Sequence, residues 1–184
     1  MAKQTHEEML SEARELFGVF GKNARALEIV DNVISAQIGH VEALNLKAAI
    51  LYDMDRDDEA LEYHLQALQL APNSVEALHG IASITNERGD FTKGLAWAKR
   101  ALRAIPHDRY PEFTENEDYR QQLIGEVYNE QAFSLWYLGK TDEARRLLSE
   151  DAPEACPLEI ESFEEQLDWL EHHPHSPEDD DTSI

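Results

Sequence analysis

The residues that could do chemistry fall in three places. His79 lies within helical reach of Glu76 and, further along, Glu87. A histidine beside a carboxylate is the minimum for acid–base or nucleophile-activating chemistry. No nucleophile or orienting group accompanies it, so hydrolysis is only the remote alternative. Cys156 is the sole cysteine, so it excludes an internal disulfide and an all-cysteine zinc site. It stands between Pro153 and Pro157 with acids nearby, which disfavour a reactive thiolate. His172, His173 and His175 neighbour carboxylates and could hold a metal weakly, but nothing beside them fixes the rings. There is no phosphate-cradling glycine loop, H-E-x-x-H or serine elbow. No catalytic residue, metal or cofactor is expected, and the chain reads as a non-enzyme.

What remains is recognition chemistry. Phe133, Trp136 and Tyr137 sit close together on one helical segment. Aromatic side chains bury much area at little entropic cost, which suits them to anchoring a partner.

The elements that must position these residues follow a repeat. Val41-Glu42-Ala43-Leu44 returns as Val75-Glu76-Ala77-Leu78, Ala48 as Ala82, Leu61 as Leu95, Ala67-Leu68 as Ala101-Leu102 and Pro72 as Pro106, always at an offset of 34. Leu10 leads by the same offset to Leu44, and Ala26-Leu27 to Ala60-Leu61. Units therefore span 7–40, 41–74 and 75–108. Each is too small to bury its own apolar face, so neighbours must stack. Tyr128, Ala132, Leu135, Gly139 and Ala144 echo Leu78, Ala82, Thr85, Gly89 and Gly94 at an offset of 50, which is one period plus 16 inserted residues. This defines a fourth unit at 125–152 after an insertion at 109–124.

Local signals set the helices. Thr5 and Glu8 form a capping-box pattern, as do Thr114 and Glu117. Asp57 and Asp90 are the expected caps of the second helices of their units. Small residues at Ala60 and Gly94 let paired helices approach closely. With no strong breaker after Thr114, the insertion predicts one long helix from about Glu115 to Leu138, ~36 Å in length, overhanging the stack by about two to three turns. Leu158 to His172 carries an apolar stripe through Ile160, Phe163, Leu167 and Leu170 and reads as a capping helix. Residues 173–184 read as an acidic disordered tail. Residues 1–172 thus make one domain.

The 34-residue helix–turn–helix unit, its small residues and its closing proline resemble the tetratricopeptide repeat. The resemblance implies an all-α, right-handed superhelix of stacked antiparallel helix pairs with a peptide-binding inner groove. By register, inward positions are Glu8, Ser11, Glu15, Asn45, Ala49, Tyr52, His79, Ser83, Asn86, Asn129, Phe133 and Trp136. The site expected from this is Asn45, Tyr52, His79, Ser83, Asn86 and Asn129 with the aromatics Phe133, Trp136 and Tyr137. Family members that clamp acidic chaperone tails use inward Lys, Arg and Asn. Here the matching places hold Ser11, Glu15, Leu46, Glu76 and Gly80, so such a ligand would meet like charge.

Charge narrows the partners further. The chain carries a net charge of −22. That disfavours phosphate backbones and anionic lipid, so neither nucleic acid nor a membrane surface is expected. The expected partner is a protein or peptide with basic and apolar residues, bound by a scaffold or adaptor. A monomer is favoured, and a self-associating assembly factor is the alternative within the same fold. No apolar signal core or membrane-length run is present, so the default location is the cytoplasm.

Overall fold

The computed structural model describes residues 4–152. The segment 158–172, Cys156, the histidines at 172–175 and the tail at 173–184 lie outside the described residues. Within them the chain is all helical. α1 (His6–Gly18) and α2 (Asn23–Ala36) form the first hairpin, α3 (Val41–Asp53) and α4 (Asp57–Leu70) the second, and α5 (Val75–Glu87) and α6 (Phe91–Ala104) the third. A short α7 (Pro111–Glu115) precedes α8 (Glu117–Tyr137), which pairs with α9 (Thr141–Arg146) and a following π-helical turn, Leu147–Asp151. Each second helix stacks on the first helix of the next unit, building a superhelix of antiparallel pairs.

The termini of the helices follow the chemistry of their caps. The Thr5 hydroxyl accepts from the Glu8 N–H and the Glu8 carboxylate accepts from the Thr5 N–H. Asp90 accepts from the Lys93 N–H. Asp57 does not cap: Arg56 holds the cap position without a side-chain bond, and Asp57 opens the helix, where its charge favours the dipole. The hairpin turns need a left-handed residue. Gly89 and Gly139 supply it, and Asp55 takes the same conformation at the equivalent place, φ 57°.

Apolar burial is continuous along the stack. Leu10, Ala26, Val30, Leu46 and Ile50 join the first two units. Val41, Leu44, Leu68, Val75, Leu78 and Ile81 form a larger core with Phe113, Leu123, Ile124 and Val127 from the insertion and its helix. This corrects the expected overhang. The long helix itself forms as α8, within two residues of its expected bounds, but Asn116 and not Thr114 caps it, accepting from the Tyr119 N–H, while the Thr114 hydroxyl donates back to the Tyr110 carbonyl. The physical reason is apolar. Phe113, Leu123 and Ile124 are each only 4% exposed, and a straight projecting helix would have left such side chains in water. The extra turns fold onto the stack instead.

Gly94 shows how tightly the third hairpin closes. A Cβ there would stand 1.8 Å from the Asn86 Oδ1. Gly94→Ala should therefore displace Asn86 and destabilise the protein by about 1–3 kcal/mol. Gly18→Ala, facing open space, should be neutral or slightly stabilising. Urea melts of the two variants beside the parent check the contrast, and equal midpoints would refute the close contact.

Candidate functional site: the concave groove

Five helices converge on one groove with a cavity of about 340 Å³. α1 contributes Arg14 and Phe17, and α3 contributes Leu46, Ala49 and Tyr52. α4 and α5 add His64, Glu76, His79, Gly80 and Ser83. The near wall is Tyr119, Leu123 and Glu126 from the opening turns of α8. The floor is apolar and the rim carries acids. Arg14 on the rim pairs with Glu42 at 2.7 Å.

Beneath the groove the polar groups are bonded to each other. Asn45 is 2% exposed; its amide donates to the Ser74 hydroxyl at 3.0 Å, leaving its carbonyl to accept from the His64 Nδ1–H at 3.4 Å. Burial, with a lesser contribution from His79, pushes His64 down from 6.5 to about 3, so it is a neutral imidazole. The other face of its ring fills the space beside Gly80, where a Cβ would lie 2.1 Å from Nε2. Towards α8, Glu130 accepts from the Ser83 hydroxyl and from the Asn86 amide, both at 2.7 Å, and the Ser134 hydroxyl donates to the Asn86 carbonyl at 2.8 Å.

The expected site residues therefore divide. Tyr52, His79 and Ser83 come together around the cavity. Tyr52 donates to Glu87, and burial followed by that bond pushes its phenol upward. His79 lies 3.8 Å from Glu126 and 3.5 Å from the Ser83 hydroxyl, whose proton goes to Glu130. That geometry holds a carboxylate in place; it does not present an activated serine. Asn45 and Asn86 sit below the surface, fixing helices. Asn129 is half-buried on α8 and does not line the cavity. Phe133, Trp136 and Tyr137 also stand apart from it. Phe133 and Tyr137 pack with Phe91 of α6, which stacks on Tyr137 with ring centroids 4.2 Å apart, while Trp136 meets Phe133 and Tyr137 and packs against the core of the last hairpin. Tyr137 remains 41% exposed.

The tetratricopeptide repeat family pattern matches residues 41–74. Residues 41–74 thus form a tetratricopeptide repeat, and the stacked hairpins around them share its architecture. No curated protein matches the sequence. Among solved structures, a crystal structure of MamA covers 89% of this chain and 81% of its own at 15% identity, with a TM-score of 0.58. A second MamA crystal structure covers 94% and 78% at 13% identity, TM-score 0.58. TTC0263, a thermophilic TPR protein of Thermus thermophilus, covers 90% of this chain and 99% of its own at 16% identity, TM-score 0.50. These likenesses are of fold.

Several residues of this groove were not singled out from the sequence. His64 occupies a place held by Val30 and Ala98 one period either side, so a polar residue at a core position was the available signal. Asp108 repeats Ser74 at one period; it is buried and accepts from the backbone of both Val75 and Tyr110, pinning the insertion to α5. Glu126 repeats Glu76 at the offset of 50, which was the available signal, while Tyr119 and Leu123 lie in the insertion and had none. Among the described residues no group of three or more His, Cys, Asp and Glu is placed to hold a metal ion, and no helix is long and apolar enough to cross a membrane.

The buried imidazole sets a pH dependence. The unfolded chain takes up a proton on His64 near pH 6.5, while the folded chain resists until about pH 3. The contribution to stability is thus complete above 6.5 and is lost as pH falls towards 3, at up to about 1.4 kcal/mol per pH unit. His64→Gln should flatten this part of the stability–pH curve, measured by urea unfolding across that window. Parallel curves for parent and variant would show that the imidazole is not held neutral.

Proposed function

We propose that this protein–protein interaction scaffold receives an extended partner segment in the groove between α1, α3, α5 and α8. The supporting observation is the combination of an apolar floor, Leu46, Ala49 and Leu123, with a rim bearing Glu76 and Glu126. An apolar side chain enters the cavity and a neighbouring Lys or Arg lies against the carboxylates. Tyr52, His79 and Ser83 line its path, and the buried Asn45 and Asn86 hold the helices that carry them. Phe133, Trp136 and Tyr137, with Asn129 beside them on α8, offer a second, aromatic contact further along the stack. The insertion gives the groove its individuality, since Tyr119 and Leu123 have no counterpart in an unmodified repeat, whereas Glu126 repeats Glu76.

The test is selection of binding peptides from a random display library, followed by calorimetry on the peptides recovered. They should be enriched in Lys or Arg beside a large apolar residue. Glu126→Gln should weaken binding several-fold and reduce its salt dependence with no change in melting temperature, because Glu126 is half exposed at the rim. Tyr119→Ala should weaken binding through lost contact area. Selection of acidic peptides, or affinities indifferent to both substitutions, would overturn the reading.

A further inference from the structure

The stacked hairpins have two edges of opposite character. At one edge lie the turns within units, and they are acidic: Asp53, Asp55, Asp58 and Glu59 surround the second turn, Glu87 and Asp90 the third. At the other edge lie the connections between units, 37–40, 71–74 and 105–110. The stretches that lead into it, 32–41, 63–75 and 91–107, contain no Asp or Glu, although 38 of the chain's 184 residues are acids. Asp108 at this edge is buried, and its two oxygens are taken by the N–H groups of Val75 and Tyr110. Glu42 and Glu76, which follow the first two connections, are turned to the groove: Glu42 pairs with Arg14, and Glu76 lines the groove's cavity.

The carboxylate-free edge holds a second cavity, of about 400 Å³. Leu70, Ala71 and Pro72 make one wall, and His107, Arg109 and Tyr110 the other. The Arg109 guanidinium donates to the Pro106 and Asp108 carbonyls at 3.1 and 3.2 Å, and among the described residues no carboxylate pairs with it. Arg100 reaches the apolar wall from α6, donating to the Pro72 carbonyl at 3.1 Å, and Arg103 stands exposed one turn before His107. The apolar wall continues outwards. Leu70 is 53% exposed and adjoins Gly39, and next to Gly39 the side chain of Ile38 is 95% exposed. We infer that this edge is a second docking site, and that it receives an extended partner segment carrying carboxylates beside large apolar side chains. The carboxylates lie against Arg109 and the α6 arginines, and the apolar groups cover Leu70 and Ile38. Charge complementarity decides the occupant. In a chain of net charge −22, an edge with cations and no accessible carboxylate is where an acidic segment meets attraction and not repulsion, while a basic one gains nothing. The exposed aliphatic groups supply apolar area that such a contact removes from water. The chemistry is the reverse of the groove's, and the inference is independent of what the groove binds.

The test titrates the isotope-labelled full chain with two synthetic peptides of about six residues, roughly 20 Å long when extended and blocked at both ends. One alternates leucine with aspartate, the other leucine with lysine. Backbone amide shifts report place and affinity together. The aspartate peptide should move the amides of residues 37–40, 70–74 and 105–110, and the lysine peptide should leave them unmoved. Arg109→Glu should weaken the aspartate peptide roughly fivefold or more, the order expected when an exposed charge pair becomes a repulsion. Because Arg109 also holds two carbonyls of its own loop, a second variant, Ile38→Glu, is measured beside it. That side chain is too exposed to matter for folding, and its replacement should weaken the same peptide through lost apolar contact and added repulsion. Shifts of the aspartate peptide confined to the groove, no shifts at millimolar peptide, equal binding of the lysine peptide at this edge, or affinities indifferent to both substitutions would each overturn the inference.

Discussion

The stack depends on a missing side chain. Gly80 on α5 leaves room for the ring of His64 on α4, and the two surfaces meet more closely than any Cβ would permit. One period earlier the same interhelical position is filled by Val30 and Leu46, both apolar and both buried. In the next interface the equivalent residues are Ala98 and Glu130. Three interfaces of one architecture thus solve the same packing problem with two medium side chains, a ring against none, and a small one against a carboxylate. Interiors pack to crystal-like density, so what is kept between units is the filled volume and not the residue type.

That choice has chemical consequences for the groove. With a ring in place of an aliphatic pair, the floor gains a buried donor that needs an acceptor. Asn45 supplies it and in turn is anchored by Ser74 at the start of α5. Glu130 plays the corresponding part towards α8, gathering Ser83 and Asn86. Buried polar groups are costly unless satisfied, and satisfied networks fix geometry more sharply than apolar contact does. The groove therefore rests on helices held by directional bonds, while its lining stays largely apolar.

Repeat spacing makes the architecture legible in the sequence. Offsets of 34 and 50 place the hairpins, the glycine turns and the close contact at Gly94, because a repeating unit imposes its register on every copy. Local capping chemistry is legible at Thr5 and Asp90 and misleading at Asp57 and Thr114. In both failures a neighbouring residue, Arg56 or Asn116, holds the cap position. Asn45 and Asn86 are correctly placed on the inward register but not at its surface. Register gives direction only, and whether an amide reaches solvent depends on what lies across from it, here Ser74 and the bare face of Gly94. The aromatic trio reads as one cluster, which it is, but its packing against Phe91 depends on a helix 42 positions earlier in the chain than Phe133, beyond the reach of local pattern.

A simple repeat array behaves like a row of dominoes, each unit touching only the next. The insertion breaks that rule. Phe113 and Leu123 reach into a core shared with Val41 and Leu44, two units back, and Tyr119 shares a cavity with Phe17 of the first hairpin. A contact that skips units ties their fates together, so opening one end is felt at the other. The array acquires the all-or-none character of a globular domain, and its repeats cease to be interchangeable parts that could be added or removed one at a time.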